Sequence, residues 1–482
     1  MDSQDGARSA HDSGQHAAGV AAPSPEALDG LRAEVRGEVI GRGDDRYQDA
    51  RHVWNGMIDK HPAAVVRCRG AADVVAALRF AKTHGLPISV RGGGHNVSGS
   101  AICEGLVIDL SLMNGVRVDP DRRVVRAGGG ATLGDIDHET QVHGLAVPAG
   151  IVSRTGIGGL ALHGGMGFLT RKYGLSCDNL LGADVVTADG RLLVVSEREH
   201  ADLFWALRGG GGNFGVVTSF EFRAHPVGPT VSMGIVFYPI ERASDVLRAF
   251  RDYMASAPDE VSAIAVLWSA GHGEPFPVEA QGKPVVAIAA CYAGNADEGD
   301  VVLQPLRRIA TPVVDLSGPI PFRAAQQLFD PEYPNGRRYY WKSIYINGVD
   351  DEVTRRLIEH AARRPSALSS LDVWALGGAF GAVSPDATAF GQRHAPFLIG
   401  IEANWEGAAE DAANIAWARA VYEDMRPFSP GGLYPNFPGL GEEGEDLVRE
   451  SYAGNYQRLQ AIKAAYDPQN LFRSTFNIPA SA

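Results

Sequence analysis

Cysteine is scarce in this chain. The four among 482 residues (Cys68, Cys103, Cys177 and Cys291) follow no regular spacing, so no disulfide framework is expected. Positive charge is also short: 44 Lys and Arg stand against 57 Asp and Glu, for a formal net charge of −13, with no basic cluster. Nucleic acid is therefore not an expected partner, because phosphate binding leans on Lys and Arg. No apolar run reaches bilayer-spanning length, which argues against a membrane partner. The stretch from Met1 lacks a cationic start followed by an apolar core, so no secretory leader is expected and the chain reads as cytoplasmic. What remains, 45% apolar and 21% charged residues, describes an ordinary globular protein long enough for two or three domains.

Glycine is plentiful, and its placement carries information. Ile88 to Val90 reads as a strand that runs through Arg91 into Gly92, Gly93, Gly94 and His95, then Asn96-Val97-Ser98-Gly99. Glycines in series let backbone N–H groups converge on an anion, since no Cβ blocks close approach. A diphosphate is the obvious guest, with the His95 imidazole at its edge. A Rossmann fingerprint would need a helix to open on these glycines. Here loop continues into a second strand, Gly105 to Leu110, so that reading is set aside.

Taken in order, residues 1 to 28 read as an unstructured tail in which His11 and His16 are not metal ligands, with a helix start at Ser24-Pro25. A strand at Ala63 to Arg67, a helix at Ala71 to Ala81 and the strand into the His95 loop read as a βαβ unit. Val124 to Gly128 is a strand and Leu133 to Val142 a short helix, whose Asp135, Asp137, His138 and nearby His143 read as a solvated face rather than a metal site. Gly182 to Val195 is a hairpin turning at Asp189-Gly190. Ala201 to Leu207 is a helix and Val216 to Phe222 a strand. Near Pro226 to Pro229 the texture changes to long strands (Val231 to Tyr238, Val261 to Trp268, Pro284 to Cys291, Lys342 to Asn347, Leu371 to Ala375, Phe397 to Trp405) separated by helices. That pattern predicts an α+β unit: an antiparallel sheet covered by helices on one face. Tyr452, Tyr456, Leu459, Ile462 and Tyr466 then share one face of a helix that Asp467-Pro468 ends.

The glycine loop does not stand alone. Pro148-Ala149-Gly150, Gly156-Ile157-Gly158-Gly159, Gly164-Gly165-Met166-Gly167, Arg171-Lys172-Tyr173-Gly174, Asp178-Asn179-Leu180, Arg208 to Gly215, Asn455-Tyr456-Gln457-Arg458-Leu459 and Tyr466 to Arg473 accompany it. In this order, from Val53 to Pro479, the set resembles the berberine-bridge-enzyme-like oxidases of the vanillyl-alcohol-oxidase superfamily. The resemblance implies a two-part FAD-binding domain of the PCMH type (29–228, with 428–482 returning to it) and a substrate domain over 229–427. It also implies FAD bonded through the His95 imidazole to its 8α-methyl carbon, which needs a neutral imidazole and makes the flavin a stronger oxidant. Many members attach FAD a second time through a cysteine after Pro-Ala-Gly. That place falls to Val152 here, and Cys177 stands in a different motif, so single attachment is expected.

The expected cofactor contacts are Arg91, Gly92, Gly93, Gly94, His95, Asn96, Ser98, Gly158, Gly164, Gly165, Asn213, Gly215, Val217 and Asn436. Thr155 joins them where relatives govern oxygen's approach. Leu160 departs from the histidine frequent in plant members, and His163 need not replace it. Oxidation by flavin removes a hydride to N5 while a base takes the proton. The candidates are Tyr434 in Tyr-Pro-Asn-Phe if its pKa is lowered, Asp372, and the mid-strand Glu402, which alternation puts on one face with Gly400 and Asn404. Phe437 stands where several relatives have tyrosine, which argues against a paired-tyrosine mechanism. The leading expectation is an oxidase that dehydrogenates a C–O or C–N centre of a small natural product or sugar, with O2 as electron acceptor and H2O2 as product. Secondary metabolism is its expected setting. The alternatives are an oxygenase acting through a flavin–oxygen adduct and a flavin-carrying binding protein without turnover.

Overall fold

The computed structural model describes residues 23–442 and 444–481. His11 and His16 lie outside them. Helical structure starts before the expected end of the tail: the helix Pro25–Glu34 begins where the Ser24 side chain accepts a hydrogen bond from the Ala27 amide at 3.2 Å.

Three larger sheets and one two-stranded pair, Leu145–Ala146 with His225–Pro226, organise the rest of the described residues. The first has four strands in the order Glu38–Gly41, Ala64–Arg67, Leu106–Asp109, Ile88–Arg91, parallel except for the first pair. Leu106–Asp109 inserts between the strands expected to form a βαβ unit, and Glu38–Gly41 adds an edge that its short pattern does not advertise. The second sheet is antiparallel, in the order Val116–Asp119, Val124–Gly128, Val216–Arg223, Leu180–Val186, Leu192–Ser196. No helix opens on the His95 loop; the chain turns through it and enters Leu106–Asp109.

The third sheet has eight antiparallel strands. Its order is Val314–Asp315, Thr230–Pro239, Pro284–Tyr292, Val261–Ser269, Ser370–Ala375, Phe397–Trp405, Arg338–Ile346, with Gly318–Pro321 also paired to Thr230–Pro239. Helices Ala243–Met254, Gly299–Arg307, Asp351–Ala362 and Asp411–Met425 bury their apolar sides against one face, forming one core with Val246, Phe250, Leu357, Trp417 and Val421. The architecture is α+β, with an antiparallel sheet covered on one face by helices. The strand expected to begin at Lys342 begins at Arg338, because Arg338 to Trp341 continue the pairing with Trp405 to Glu402. Those four residues bring Trp341 to the uncovered face.

The C-terminal segment is two helices, not one. Glu445–Tyr452 ends at Ala453, which adopts φ +48°, and Tyr456–Tyr466 starts after a single 3₁₀ turn. The Asn455 side chain donates to the Pro385 carbonyl at 2.7 Å at this break. Val448, Tyr452, Tyr456, Leu459 and Ile462 share a core with Phe204, Phe214 and Phe220, so the chain's end is packed against the second sheet. Lys463, fully buried, donates to Asp467 at 2.6 Å and to the Asn213 and Phe472 carbonyls at 2.7 Å each. A buried charge needs this complete set of partners. Among the described residues no helix is long and apolar enough to cross a membrane.

Candidate active site

The uncovered face of the third sheet roofs a cavity of about 510 Å³ whose floor comes from loops of the first two sheets. The floor is mostly backbone. Gly92, Gly93, Gly94, His95 and Asn96 enter from one side, Thr155, Gly156, Gly158 and Gly159 from a second, and Gly215 and Val217 from a third. Gly94 takes φ +66°, a conformation other residues adopt at a cost, and this turn aims His95 inward. Gly93 and Gly156 cross so closely that a Cβ on Gly93 would stand 2.4 Å from the Gly156 nitrogen. No side chain fits either position.

His95 is held by aromatic stacking. Its ring lies 4.0 Å from Trp54 at 16°, and Trp54 lies 3.7 Å from Tyr339 at 13°. The Trp54 indole N–H donates to the Tyr333 carbonyl at 2.9 Å. Burial pushes the His95 pKa down to about 4, helped by the nearby Arg154 charge and opposed by its own backbone hydrogen bond. The imidazole is therefore neutral at physiological pH, and its buried Nε2 has no hydrogen-bond partner among the described residues. That orphaned nitrogen, with Gly93 exposed on the wall and open space beyond Gly159, fits the ring and phosphate groups of FAD.

The roof is built from side chains. Pairing sets Asp372 opposite Gly400 and Glu402 opposite Ser370, so the two acids are diagonal neighbours on one face. They lie within hydrogen-bonding reach of each other, and Tyr333 donates to Glu402 at 2.7 Å. Burial raises the Asp372 carboxyl to about 7, against hydrogen bonds from Ser370 and Glu402. Burial and then the Asp372 charge drive Glu402 well above the usual carboxylate range, opposed by the Tyr333 hydrogen bond. Two carboxyls this close resist ionising together, so burial and their mutual repulsion both favour protonated forms. Asp372 Oδ1 and the Trp374 indole nitrogen are buried without partners among the described residues. The Trp341 indole donates to Asn404 at 2.7 Å, and its ring meets Tyr333 and Phe437 edge-on at 5.3 Å each.

Several expected contacts lie elsewhere. The Arg91 guanidinium turns away to Asp109 at 2.6 Å and the Ala50 carbonyl at 2.7 Å, bracing the loop from behind. Ser98 bonds Asn96 and Thr475, and Asn213 ties down the chain's end through the Gly210 and Phe476 carbonyls. Gly164 packs on Phe390, and a Cβ on Gly165 would fall 2.2 Å from the Ser176 hydroxyl. None of these five lines the cavity. Tyr434 does, but its hydroxyl accepts from the Gly165 and Met166 amides at 3.2 and 3.1 Å and from Asn436 at 2.9 Å. Burial outweighs those bonds and pushes its pKa up to about 12, the wrong direction for a base.

Comparison with known proteins agrees with this arrangement. Residues 62–196 match the model of the FAD binding domain, and residues 433–479 match the model described as Berberine and berberine like. Over 460 residues the chain is 31% identical to (R)-6-hydroxynicotine oxidase of Paenarthrobacter nicotinovorans, covering 92% of this chain and 97% of that one. The chain belongs to the berberine-bridge-enzyme-like family. It is an FAD-linked oxidoreductase of the oxidase type. Among solved structures, 6-hydroxy-D-nicotine oxidase from Arthrobacter nicotinovorans superposes with a TM-score of 0.82 at 29% identity, covering 92% of this chain and 98% of that one. Glucooligosaccharide oxidase from Acremonium strictum, whose FAD is 6-S-cysteinyl and 8α-N1-histidyl, superposes at 0.83 with 25% identity, covering 95% and 100%.

Sequence reasoning missed part of the site. Gly129 is on the wall, and the run Gly128-Gly129-Gly130 was a visible signal for it. Glu332, Tyr333, Trp341 and Trp374 also line the cavity. Tyr333 sits after a 3₁₀ turn in a loop without periodicity, where nothing local marks it.

Proposed function

We propose that this oxidase acts on a C–O or C–N centre of a small molecule held between the glycine-built floor and the carboxyl-bearing roof, with O2 as acceptor. FAD held by His95 and the glycine floor would supply the two-electron acceptor, regenerated by O2 with release of H2O2. The observation carrying the reading is the Asp372–Glu402 pair, buried in the cavity that also holds the neutral His95 imidazole. Asp372 receives the substrate's proton at the oxygen that has no partner. Glu402 holds Asp372 in place and is itself held by the Tyr333 hydroxyl. Gly92 to Gly94 and Gly158 offer backbone to the phosphates and ring, Asn96, Asn436 and Thr155 flank them, and Tyr434 orders the Gly165-Met166 turn under the roof.

Attachment in this reading is through His95 alone. Val152 occupies the wall at the place of the second tether, and none of the four cysteines lines the cavity. The Cys177 thiol lies 3.6 Å from Asp178, and burial raises its pKa well above the ordinary thiol value. The flavin-binding unit then comprises 29–228 and 428–482, with 229–427 forming the roof. The test is mass spectrometry of the denatured protein with peroxide measurement during turnover. One FAD retained per chain, and one H2O2 formed per substrate oxidised, is the expected result. Oxygen incorporated into product without peroxide would point to oxygen transfer instead.

A further inference from the structure

The roof is polar on one side only. Asp372, Glu402 and Asn404 stand on the strands Ser370–Ala375 and Phe397–Trp405. Three further strands cover the cavity, Thr230–Pro239, Pro284–Tyr292 and Val261–Ser269, and none of them contains a charged residue. Of their residues on the wall, only Trp268 has a hydrogen-bonding side chain. Register makes a continuous track of this half: Val266 stands opposite Asp372, Ala287 opposite Val266, and Phe237 opposite Ala287. Three strand spacings put Phe237 about 14 Å from Asp372.

The track is a trough. Alternation puts Ala287 and Ala289 on the cavity face of the middle strand, between Ile235 and Phe237 on one flank and Ile264 and Val266 on the other. Methyl groups in the middle and larger side chains at both flanks leave a depression spanning two strand spacings, about 10 Å. Phe276 meets Phe237 edge-on at 4.9 Å and comes from an exposed hairpin, where the Ala270 amide donates to the Lys283 carbonyl at 2.9 Å. Val266, Trp268, Phe276, Leu328 and Phe329 stay only half-buried although each lines the cavity. Apolar surface left open in a cleft gains free energy when an apolar group covers it. Leu316 and Pro275 line the cavity and are exposed, so this end opens to solvent.

We propose that this trough is a subsite for an uncharged, apolar arm that the substrate carries away from its reacting carbon; this rests on the oxidase reading above. The reacting carbon lies beside Asp372, and the arm runs across Val266 and Ala287 towards Phe237 and Phe276. The arm is recognised in the same way whether the oxidised centre bears oxygen or nitrogen. A sugar ring in its place would leave hydroxyls without partners along the track, which is unfavourable.

The experiment uses the purified FAD-loaded protein with benzyl alcohol, 4-phenylbutanol and cellobiose, binding being measured by calorimetry. The added methylenes, laid on the trough, should make 4-phenylbutanol bind at least about tenfold tighter than benzyl alcohol, with cellobiose the weakest of the three. Ala287→Leu fills the trough and should bring that ratio below about threefold. Phe276→Ala, on a hairpin outside the sheet, should weaken 4-phenylbutanol by about fivefold. A smaller ratio in the unmodified protein, tighter binding of cellobiose than of 4-phenylbutanol, failure of 4-phenylbutanol to bind by about 5 mM, or a ratio that both variants leave intact would each overturn the proposal. The unmodified protein and Phe276→Ala decide if Ala287→Leu does not fold. Protein purified without FAD would instead overturn the oxidase reading on which the proposal rests.

Discussion

The floor and the roof of this cavity are built in opposite ways. The floor is backbone: glycines that cross too closely for any Cβ, and one histidine set by a turn at Gly94. The roof is side chain: two acids and tryptophans delivered by strands far apart in sequence, and a tyrosine from a loop. A floor made of backbone accepts the same dinucleotide across a family, because it reads phosphates and a ring edge through groups every residue possesses. A roof made of side chains can be rewritten strand by strand without disturbing the sheet, which is why the proposed function puts substrate choice there.

The largest effect that would sharpen this contrast is on the roof. Asp372→Asn should lower the rate of flavin reduction about 10²- to 10⁴-fold in stopped-flow measurements while FAD stays attached. A fall below about threefold would remove Asp372 as the base. On the floor, His95→Ala should abolish attachment, leaving denatured protein lighter by one FAD, and slow turnover by about tenfold as the flavin becomes a weaker oxidant. Roof variants that also lost the tether would erase the distinction between the two ends.

Stability should respond to pH through the roof. The Asp372 carboxyl titrates near 7 when folded and near its ordinary value of 3.8 when unfolded. Between those values the folded state binds the extra proton, so stability falls as pH rises from about 4 to about 7 and stays lower above it. Asp372→Asn should therefore raise the melting temperature at pH 8 by more than it does at pH 4. Equal shifts at both would show that the group is not buried as described.

Smaller effects come next. Tyr333→Phe removes a hydrogen bond worth about 1 to 1.5 kcal/mol that favours the charged form of Glu402. The acid limb of the reduction rate should move to higher pH by about one unit. An unmoved limb would make Tyr333 a packing residue only. Smallest of all, Cys177→Ala should leave the FAD mass in place and cost about 1 kcal/mol of stability. A lost flavin adduct there would place a tether at Cys177 and overturn attachment through His95 alone.

Legibility in the sequence followed the same divide. The His95 loop could be read because consecutive residues supply it, and a strand ending in three glycines without a following helix has few uses. Asp372 and Glu402 could each be picked as carboxylates in apolar strands, but their pairing depends on the register that puts Asp372 opposite Gly400. Tyr434 looked suited to proton transfer by motif, and only its burial, which outweighs three N–H donors, moves its pKa upward. Arg91 adjoins the glycines in sequence, yet the alternation of its strand turns it towards Asp109.

The amino-acid sequence by itself determined what depends on neighbours along the chain: the strands and helices, the glycine turn that presents His95, and the absence of a cysteine at Val152. Tertiary structure alone decided what depends on distance through space: the dryness that neutralises His95 and the meeting of two acids with Tyr333. Burial and cross-strand register are properties of the whole packed molecule, and they set proton affinities that no local run of residues encodes.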